Sequence, residues 1–287
     1  MTTVQTHSPP TTGSPDHAIR PRRALPRWLT SPLAARLTSY VAGLLLWQLV
    51  ATIFDRFPAP LEITSFLVGE VAEGHLVSNF AVTLNRFGQG MLIAVVIGVI
   101  LGILIGSYRG AEAFLNDINV VGLAIPAVIW ALLATMWFGF GDRAPIVTVI
   151  LSAVPFVTVN VAQGVRAIDP RLGHMSAAFG VPASRRLRHL TLPAIAGYVF
   201  AAIRFAVMSG WNGILLSEWF GATSGVGWRA RYWYDANRMP GFLAWVVFFI
   251  VFMLLVDRGG LGAIAKRSFR WRDGDAAGTT DIVTERV

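Results

Sequence analysis

The most unusual residues of this chain are polar side chains inside long apolar segments. A charged or amide side chain in apolar surroundings costs free energy, so each is a candidate to contact a solute. Arg204 and Asn212 are eight residues apart with Met208 between them, which places all three on one helical face. The candidates for a polar path through the apolar segments are Asn85, Arg86, Gln89, Trp130, Asn160, Arg204, Met208, Asn212 and Glu218.

Each of these candidates also has a structural interpretation. An arginine can bind an anion and offset the cost of removing it from water, or it can form a buried ion pair within the chain. For Arg86 the partner would be Glu218, which is itself a poor ligand for an anion. Both interpretations stay open for Arg86 and for Arg204.

Several kinds of catalytic and metal site are excluded by composition. The chain has no cysteine, which removes thiolate metal sites and a cysteine nucleophile. Lys266 is the only lysine and follows Ala265, so a phosphate-binding loop ending in Gly-Lys cannot form. Neither an HExxH nor a GxSxG motif occurs. The sequence therefore predicts that the chain is not an enzyme and holds no metal or cofactor of its own.

The elements that must position the polar residues are apolar segments, several of them near the length that crosses about 30 Å of hydrocarbon. Only 14% of the 287 residues are charged and 54% are hydrophobic, whereas soluble domains carry about 25% charged residues. The composition predicts an all-α integral membrane protein with six crossings near residues 36–54, 80–107, 121–138, 144–164, 195–216 and 241–257.

The positive charge lies beside the apolar segments, which favours membrane topology and lipid contacts over nucleic acid. Sixteen basic residues fall on the side that six crossings give to both termini, and five fall on the other side. This bias predicts cytoplasmic N and C termini. Residues 1–32 are predicted to be a disordered basic cytoplasmic arm, residues 33–272 the membrane domain, and residues 273–287 a disordered tail.

Small residues recur every four positions in the second crossing and form one smooth stripe on a helix. Such a stripe lets two helix backbones approach closely in lipid. We expect it to pack against another helix of the same subunit; a subunit interface is the alternative. The stripe consists of Gly90, Ala94, Gly98, Gly102 and Gly106.

The segment 174–193, HMSAAFGVPASRRLRHLTLP, is a basic island between two apolar crossings. In it Gly180 is followed by nine residues, then Leu190, one residue, and Leu192-Pro193. This spacing resembles the EAA loop of bacterial ABC importer permeases. One feature departs from that motif, because His174-Met175-Ser176 stands where the family has Glu-Ala-Ala.

The resemblance extends over about residues 80–272, in order and in register. Thr83-Leu84-Asn85-Arg86 resembles the opening of the second crossing in the nitrate, sulfonate and taurine permease group. The course from Pro126 through Trp137-Phe-Gly-Phe-Gly to Asp169 is similar to the third and fourth crossings of that group. The segment from Ser217 to Gly227 resembles its A-E-x-x-G-A-x-x-G-L-G pattern.

This resemblance implies a type I ABC importer permease, the membrane subunit that carries a small solute, such as a sulfonate, taurine or nitrate. In such importers the EAA loop forms a coupling helix that docks on a cytoplasmic ATPase, which binds ATP and Mg. The implied partners are a second copy of the chain, two ATPase subunits and an extracytoplasmic solute-binding protein, at the bacterial inner membrane. The implied coupling residues are Ala177, Ala178, Phe179, Gly180, Val181, Ser184, Arg185, Arg186, Leu192 and Pro193.

Two alternatives belong to other functional classes. A secondary transporter would work without an ATPase, and inverted repeats with paired intramembrane acids would be its signature. A structural subunit of a membrane complex would have no need for the spacing from Gly180 to Pro193.

Overall fold

The computed structural model describes residues 32–54, 56–256 and 259, and this part of the chain is helical with no strand. The predicted arm and tail lie outside the described residues, apart from Pro32, which begins the first helix. The α-helices are α1 (Pro32–Ile53), α2 (Pro60–Ala72), α3 (His75–Ser107), α4 (Arg109–Ala124), α5 (Ala127–Phe138), α6 (Arg143–Arg166), α7 (Pro170–Ala178), α8 (Ala183–Arg186), α9 (Leu192–Gly221), α10 (Val226–Asp235) and α11 (Met239–Leu255), and a π-helical turn spans Leu187–Thr191.

Two compact units make up the chain, residues 1–50 and residues 51–287. Most of α1 lies in the first unit, and this helix is apolar and long enough to cross a membrane. The candidate residues that the sequence indicates all lie in the second unit.

The all-helical membrane fold is confirmed, whereas the number of crossings stays a prediction. By length and composition, four helices of the described chain can cross a membrane: α1, α3, α6 and the helix over Ala183–Gly221. The number is five if α4 and α5 together form one crossing. The apolar helix α11, at the predicted sixth crossing, has 17 residues.

The predicted third crossing, 121–138, stays a prediction, and the structure shows a sharp bend inside this range. It contains the end of α4 and all of α5, and the two helices meet at an angle of 100°. Ile125 takes an extended conformation between them, with φ −76° and ψ 119°. Pro126 explains the break, because its ring disfavours helical geometry at the preceding residue.

The predicted fifth crossing, 195–216, lies within a longer helix, because α9 covers Leu192–Gly221 and the chain is already helical from Ala183. Pro193 lies in the first turn of α9 and cannot donate a backbone hydrogen bond. The wider π turn directly before it gives room where the proline ring would otherwise meet the carbonyl four residues earlier.

The small-residue stripe of α3 packs against α6. A Cβ added at Gly98 would lie 2.5 Å from the Cβ of Val157, and one added at Gly102 would lie 2.6 Å from that of Val161. Gly90 and Gly106 face α6 in the same way, and Ala94 is fully buried. Contacts advance by four residues on both helices, so α3 and α6 run in the same direction with their backbones close together.

An adjacent side of α6 packs against α9, which runs antiparallel to it. Gly164 faces Tyr198 near one end of the pair and Gly213 faces Thr148 toward the other. The Ser209 hydroxyl donates to the carbonyl of Ser152 at 2.9 Å. The helix α6 therefore makes the most extensive contacts in the second unit, with α3 on one side and α9 on an adjacent side.

A second group of helices, α2, α10 and α11, packs together, and α11 also stacks Phe249 and Phe252 on Trp211 of α9. Arg229 of α10 donates from Nε and Nη2 to the two carboxylate oxygens of Glu70 in α2, at 3.1 and 3.0 Å. Trp233 packs edge-on against Phe66 with ring centroids 4.9 Å apart. This buried ion pair was not predicted from the sequence.

Candidate functional site

The segment 174–193 forms a capped helix and a tight turn before it enters the long helix of α9. The Asp169 carboxylate accepts from the Arg171 amide at 2.8 Å and caps the start of α7. At the other end, the Val181 amide donates to the Ser176 carbonyl at 2.9 Å and the Gly180 amide to that of Ala177 at 3.0 Å. These two bonds are the Schellman arrangement that ends many helices.

Gly180 has the left-handed backbone that this turn requires, with φ +65°. A side chain in this conformation is strained, which is the physical reason for glycine here. No atom lies within 4 Å of the position that a Cβ would take at Gly180. Within this chain, Gly180 therefore serves the turn and not a close helix approach.

The predicted coupling residues lie on the surface of this segment. Val181 is half-buried and the other nine are exposed. Phe179, at the tip, is 80% exposed, and Met175 is 54% exposed. His174, which replaces the glutamate of the resembled motif, is exposed as well, so the fold of the segment does not depend on an acid there.

A surface pocket with a volume of about 400 Å³ lies between α7 and the helical turns that follow. Leu172, Met175 and Val181 line it together with Arg185 and Arg186. An apolar surface bordered by guanidinium groups suits a partner that presents apolar side chains beside acidic groups or carbonyls.

At the C-terminal end of α9 the structure brings Arg86 and Glu218 together in a buried ion pair. Glu218 is 0% exposed and accepts from Arg86 Nη1 at 2.9 Å, from the Thr83 hydroxyl at 2.9 Å and from the Gly227 amide at 3.0 Å. We name Thr83, Arg86, Asp142, Glu218 and residues 224–227 the outer network.

All five N–H donors of Arg86 are used inside the chain. Its Nε and Nη2 donate to Asp142, at 2.9 Å from Nε, and its Nη1 donates to Glu218. The remaining two reach the carbonyl and hydroxyl oxygens of Ser224, each at 2.8 Å. These contacts favour the structural interpretation of Arg86 and Glu218, because no donor is left for a solute.

Gly225 shows why the loop in this network needs glycine. Its φ is +107°, and a Cβ would lie 2.2 Å from a Glu218 carboxylate oxygen. Its amide donates to Asn79 at 2.9 Å, and the Val226 amide donates to Thr83 at 2.8 Å. Asp142, Ser224 and Asn79 were missed as partners from the sequence, although Thr83 and Gly225 stand in the resembled motifs.

Five of the other candidate path residues lie on exposed helix faces. Arg204, Met208 and Asn212 are exposed on one face of α9, as their spacing predicts. Asn85 and Gln89 are exposed on α3, where the Gln89 amide donates to Asn85 at 3.2 Å. The structure thus separates the candidates into the sealed pair Arg86–Glu218 and exposed polar faces.

Two further candidates lie deeper, on other helices. The Asn160 amide is half-buried and donates to the Phe156 carbonyl at 2.8 Å. Trp130 is half-buried in α5, and its indole nitrogen has no hydrogen-bond partner.

Comparison with known families decides the identity. The model of the family described as binding-protein-dependent transport system inner membrane component matches residues 75–260. The chain belongs to this family. The matched range begins with α3 and contains both the segment 174–193 and the outer network.

Relatives of this permease family are similar over most of the chain. The aliphatic sulfonates transport permease protein SsuC of Bacillus subtilis is 23% identical over 235 residues, which cover 79% of this chain and 84% of that protein. The bicarbonate transport system permease protein CmpB of Synechococcus elongatus is 26% identical over 235 residues, covering 77% and 84%.

A solved permease shares the fold. A chain of the MetNI methionine ABC transporter, in an inward-facing conformation, superposes with a TM-score of 0.52 at 20% identity and covers 66% of this chain and 95% of its own length. The chain is therefore a membrane-embedded transport permease with the fold of an ABC importer. The described residues contain no group of three or more His, Asp or Glu side chains that could hold a metal ion.

Proposed function

We propose that this permease docks a cytoplasmic ATPase on the segment 174–193 and carries a small anion across the bacterial inner membrane. A second copy of the chain, two ATPases with their ATP and Mg, and an external solute-binding protein would complete the importer, with both termini cytoplasmic. The observation that carries the proposal is the exposed aromatic tip Phe179 beside exposed arginines.

Such a surface is costly to leave in water. Burying a phenylalanine side chain contributes about 1.5–3 kcal/mol, so a partner that covers Phe179 gains free energy. Arg185 and Arg186 border the same concave surface and can donate paired hydrogen bonds. An isolated apolar tip with basic neighbours therefore suits docking better than it suits a topology signal alone.

The segment is also continuous with a helix that carries path candidates. Helix runs from Ala183 to Gly221, which is about 58 Å at 1.5 Å per residue. A displacement of the segment would tilt or rotate this helix and, with it, the face of Arg204, Met208 and Asn212. This gives an ATPase at one end a rigid connection to side chains inside the membrane.

The relatives are named for sulfonates and bicarbonate, so we propose a small anion of this kind as substrate. The exposed polar candidates, Arg204 and Asn212 on α9 with Asn85 and Gln89 on α3, offer a guanidinium and amide groups and include no carboxylate. Glu218 does not oppose an anion here, since it is buried and paired with Arg86.

The proposal is tested by coexpressing the chain with its ATPase and binding protein. Phe179→Asp places a charge at the tip, so we expect at least tenfold less copurified ATPase and a matching loss of solute uptake. Phe140→Asp is the control, because Phe140 is 73% exposed at the opposite end of α6. Normal ATPase recovery and uptake with Phe179→Asp would overturn docking, and uptake without any ATPase would favour a secondary transporter.

The substrate class is tested separately at Arg204. We expect Arg204→Gln to raise the KM for the anion, and Arg204→Lys to retain most of the wild-type affinity because it keeps the charge. Equal uptake by both variants at subsaturating solute would show that Arg204 does not contact the anion.

A further inference from the structure

A surface pocket with a volume of about 450 Å³ lies between the end of α3 and the turns of α8 and the π-helix. Ile100 and Leu104 of α3 give it an apolar wall. Polar groups come from Ser107, at the end of the same helix, and from Ser184 and Arg186 of α8. All five residues are exposed, so a ligand can reach both the apolar and the polar part of the lining.

The charge of this pocket favours an anion. Arg186 is the one charged side chain among the described residues that line it, so no acid opposes a negative ligand. The Arg186 guanidinium takes part in no hydrogen bond or ion pair with the described part of the chain. Arginine holds phosphate through paired hydrogen bonds, and serine hydroxyls can donate as well. A phosphate group is therefore a ligand that fits the polar part.

The sequence of α3 places the pocket at the level of lipid headgroups. This helix is long and apolar enough to cross a membrane, and residues 91–106 include no polar side chain. Tyr108, which also lines the pocket, and Arg109 follow directly after Ser107. Tyrosine and arginine at the end of an apolar helix are typical of the boundary between membrane and water. We name this site the interfacial pocket.

An exposed apolar stripe on α3 leads into the interfacial pocket. Ile93, Ile97, Ile100 and Leu104 are exposed, and their spacing of three or four residues places them on one helix face. The stripe is about 16 Å long at 1.5 Å per residue, which is about half of the 30 Å hydrocarbon core and hence the depth of one leaflet. These dimensions suit an acyl chain, whereas a free phosphate ion would leave the stripe uncovered.

We propose that the interfacial pocket binds an anionic phospholipid, with its phosphate on Arg186 and an acyl chain along the stripe of α3. Arg186 lines both this pocket and the pocket beside α7, whereas Arg185 lines the pocket beside α7 but not this one. Lipid binding here requires the membrane embedding of the chain but not ATPase docking, so either can fail alone.

Lipid titration of the full-length permease tests the site. The protein is purified without the ATPase in a neutral detergent, and bound lipids are counted by native mass spectrometry. The probes are phosphatidylglycerol and phosphatidylcholine with the same acyl chains. We expect one saturable site per chain that binds phosphatidylglycerol about tenfold more tightly, because the choline group brings its own positive charge beside Arg186.

Two adjacent arginines provide matched variants. Arg186→Gln should weaken phosphatidylglycerol binding about tenfold, because the phosphate loses its charged donor. Arg185→Gln makes the same change of net charge and should stay within about twofold of the wild type. Arg186→Lys keeps the charge and should retain most of the affinity. Equal losses in Arg185→Gln and Arg186→Gln would show attraction to net charge without a site and would overturn the proposal.

The acyl part is tested on α3. Ile100→Trp fills the stripe beside the pocket, so we expect about fivefold weaker phosphatidylglycerol binding. Leu92→Trp is the control, because Leu92 is exposed on the same helix but lies about 100° around it from the stripe. Thermal unfolding shows whether each variant is folded.

Three further results would overturn the proposal. Equal affinities for the two lipids would show that the pocket does not recognise charge. Displacement of phosphatidylglycerol by millimolar inorganic phosphate would show a phosphate site without a lipid chain. Loss of the homodimer in Ile100→Trp, with unchanged lipid binding, would show that a second copy of the chain covers the stripe.

Discussion

The two ends of the α6–α9 pair differ in how much of their polar surface the chain itself uses. Near Gly221 the outer network is closed: Glu218 is buried and every donor of Arg86 has an acceptor. At the other end the segment 174–193 is exposed, with an aromatic tip and arginines at its surface. Charged side chains that are buried and hydrogen-bonded within the chain, such as Arg86 and Glu218, stabilise the fold. Charged side chains that are exposed, such as Arg185 and Arg186, are candidates for contact with a partner.

Mutations in the outer network should reduce the stability of the protein more than mutations in the segment 174–193. We expect Glu218→Ala to cost about 3–5 kcal/mol of stability, because it leaves Arg86 buried without its one buried counter-charge. Thermal or denaturant unfolding in detergent measures the loss. Asp142→Asn is the control: the Asp142 side chain is 73% exposed, so the loss should stay near 1 kcal/mol or below.

The double variant Arg86→Met/Glu218→Leu tests whether the stability loss of Glu218→Ala comes from the unpaired charge of Arg86. Replacing both partners removes the unpaired charge, so it should be clearly more stable than Glu218→Ala. A Glu218→Ala protein as stable as the wild type would show that the outer network does not hold this end together.

Disturbing the close contact of α3 with α6 should reduce stability less than Glu218→Ala does. Gly98→Ala places a methyl group 2.5 Å from Val157 Cβ, and overpacking of this kind costs about 1–3 kcal/mol. Gly88→Ala is matched on the same helix, because no atom lies within 4 Å of its added Cβ. It should be neutral or slightly stabilising, since alanine favours helix. Equal stabilities of the two variants would argue against the α3–α6 contact.

In the segment 174–193, the turn at Gly180 should affect stability only locally. Gly180→Ala must hold an L-residue at φ +65°, which costs about 1–2 kcal/mol. Gly173→Ala in α7 is the control, since its added Cβ meets no atom within 4 Å and its backbone is helical. Hydrogen exchange should show faster opening of residues 174–182 in Gly180→Ala alone. Identical exchange in both variants would mean that the turn does not depend on glycine.

The sequence predicts the helical class, one buried pair and the face of the stripe, for physical reasons. The length and hydropathy of a segment predict a membrane crossing, and small residues repeated every four positions predict a helix contact. Arg86 and Glu218 can be proposed as a pair because a charged side chain in an apolar segment is costly unless an opposite charge lies beside it.

What the sequence did not reveal depends on tertiary geometry. Asp142 and Ser224 lie in loops, where polar residues are ordinary and give no signal of a buried partner. Glu70 and Arg229 are 159 positions apart, and no local pattern connects them. The 100° angle between α4 and α5 does not follow from the sequence, because Pro126 is tolerated within many membrane helices and its presence alone does not locate a break.

The contrast between the two ends rests on the claim that the segment 174–193 docks the ATPase. The chain has no cysteine, so an introduced cysteine is its single labelling site. Phe179→Cys and Phe140→Cys are each labelled with a benzophenone maleimide in the assembled transporter and irradiated. We expect crosslinks to the ATPase from position 179 and none from position 140. Absence of an ATPase crosslink at 179, or an equal yield from 140, would contradict it.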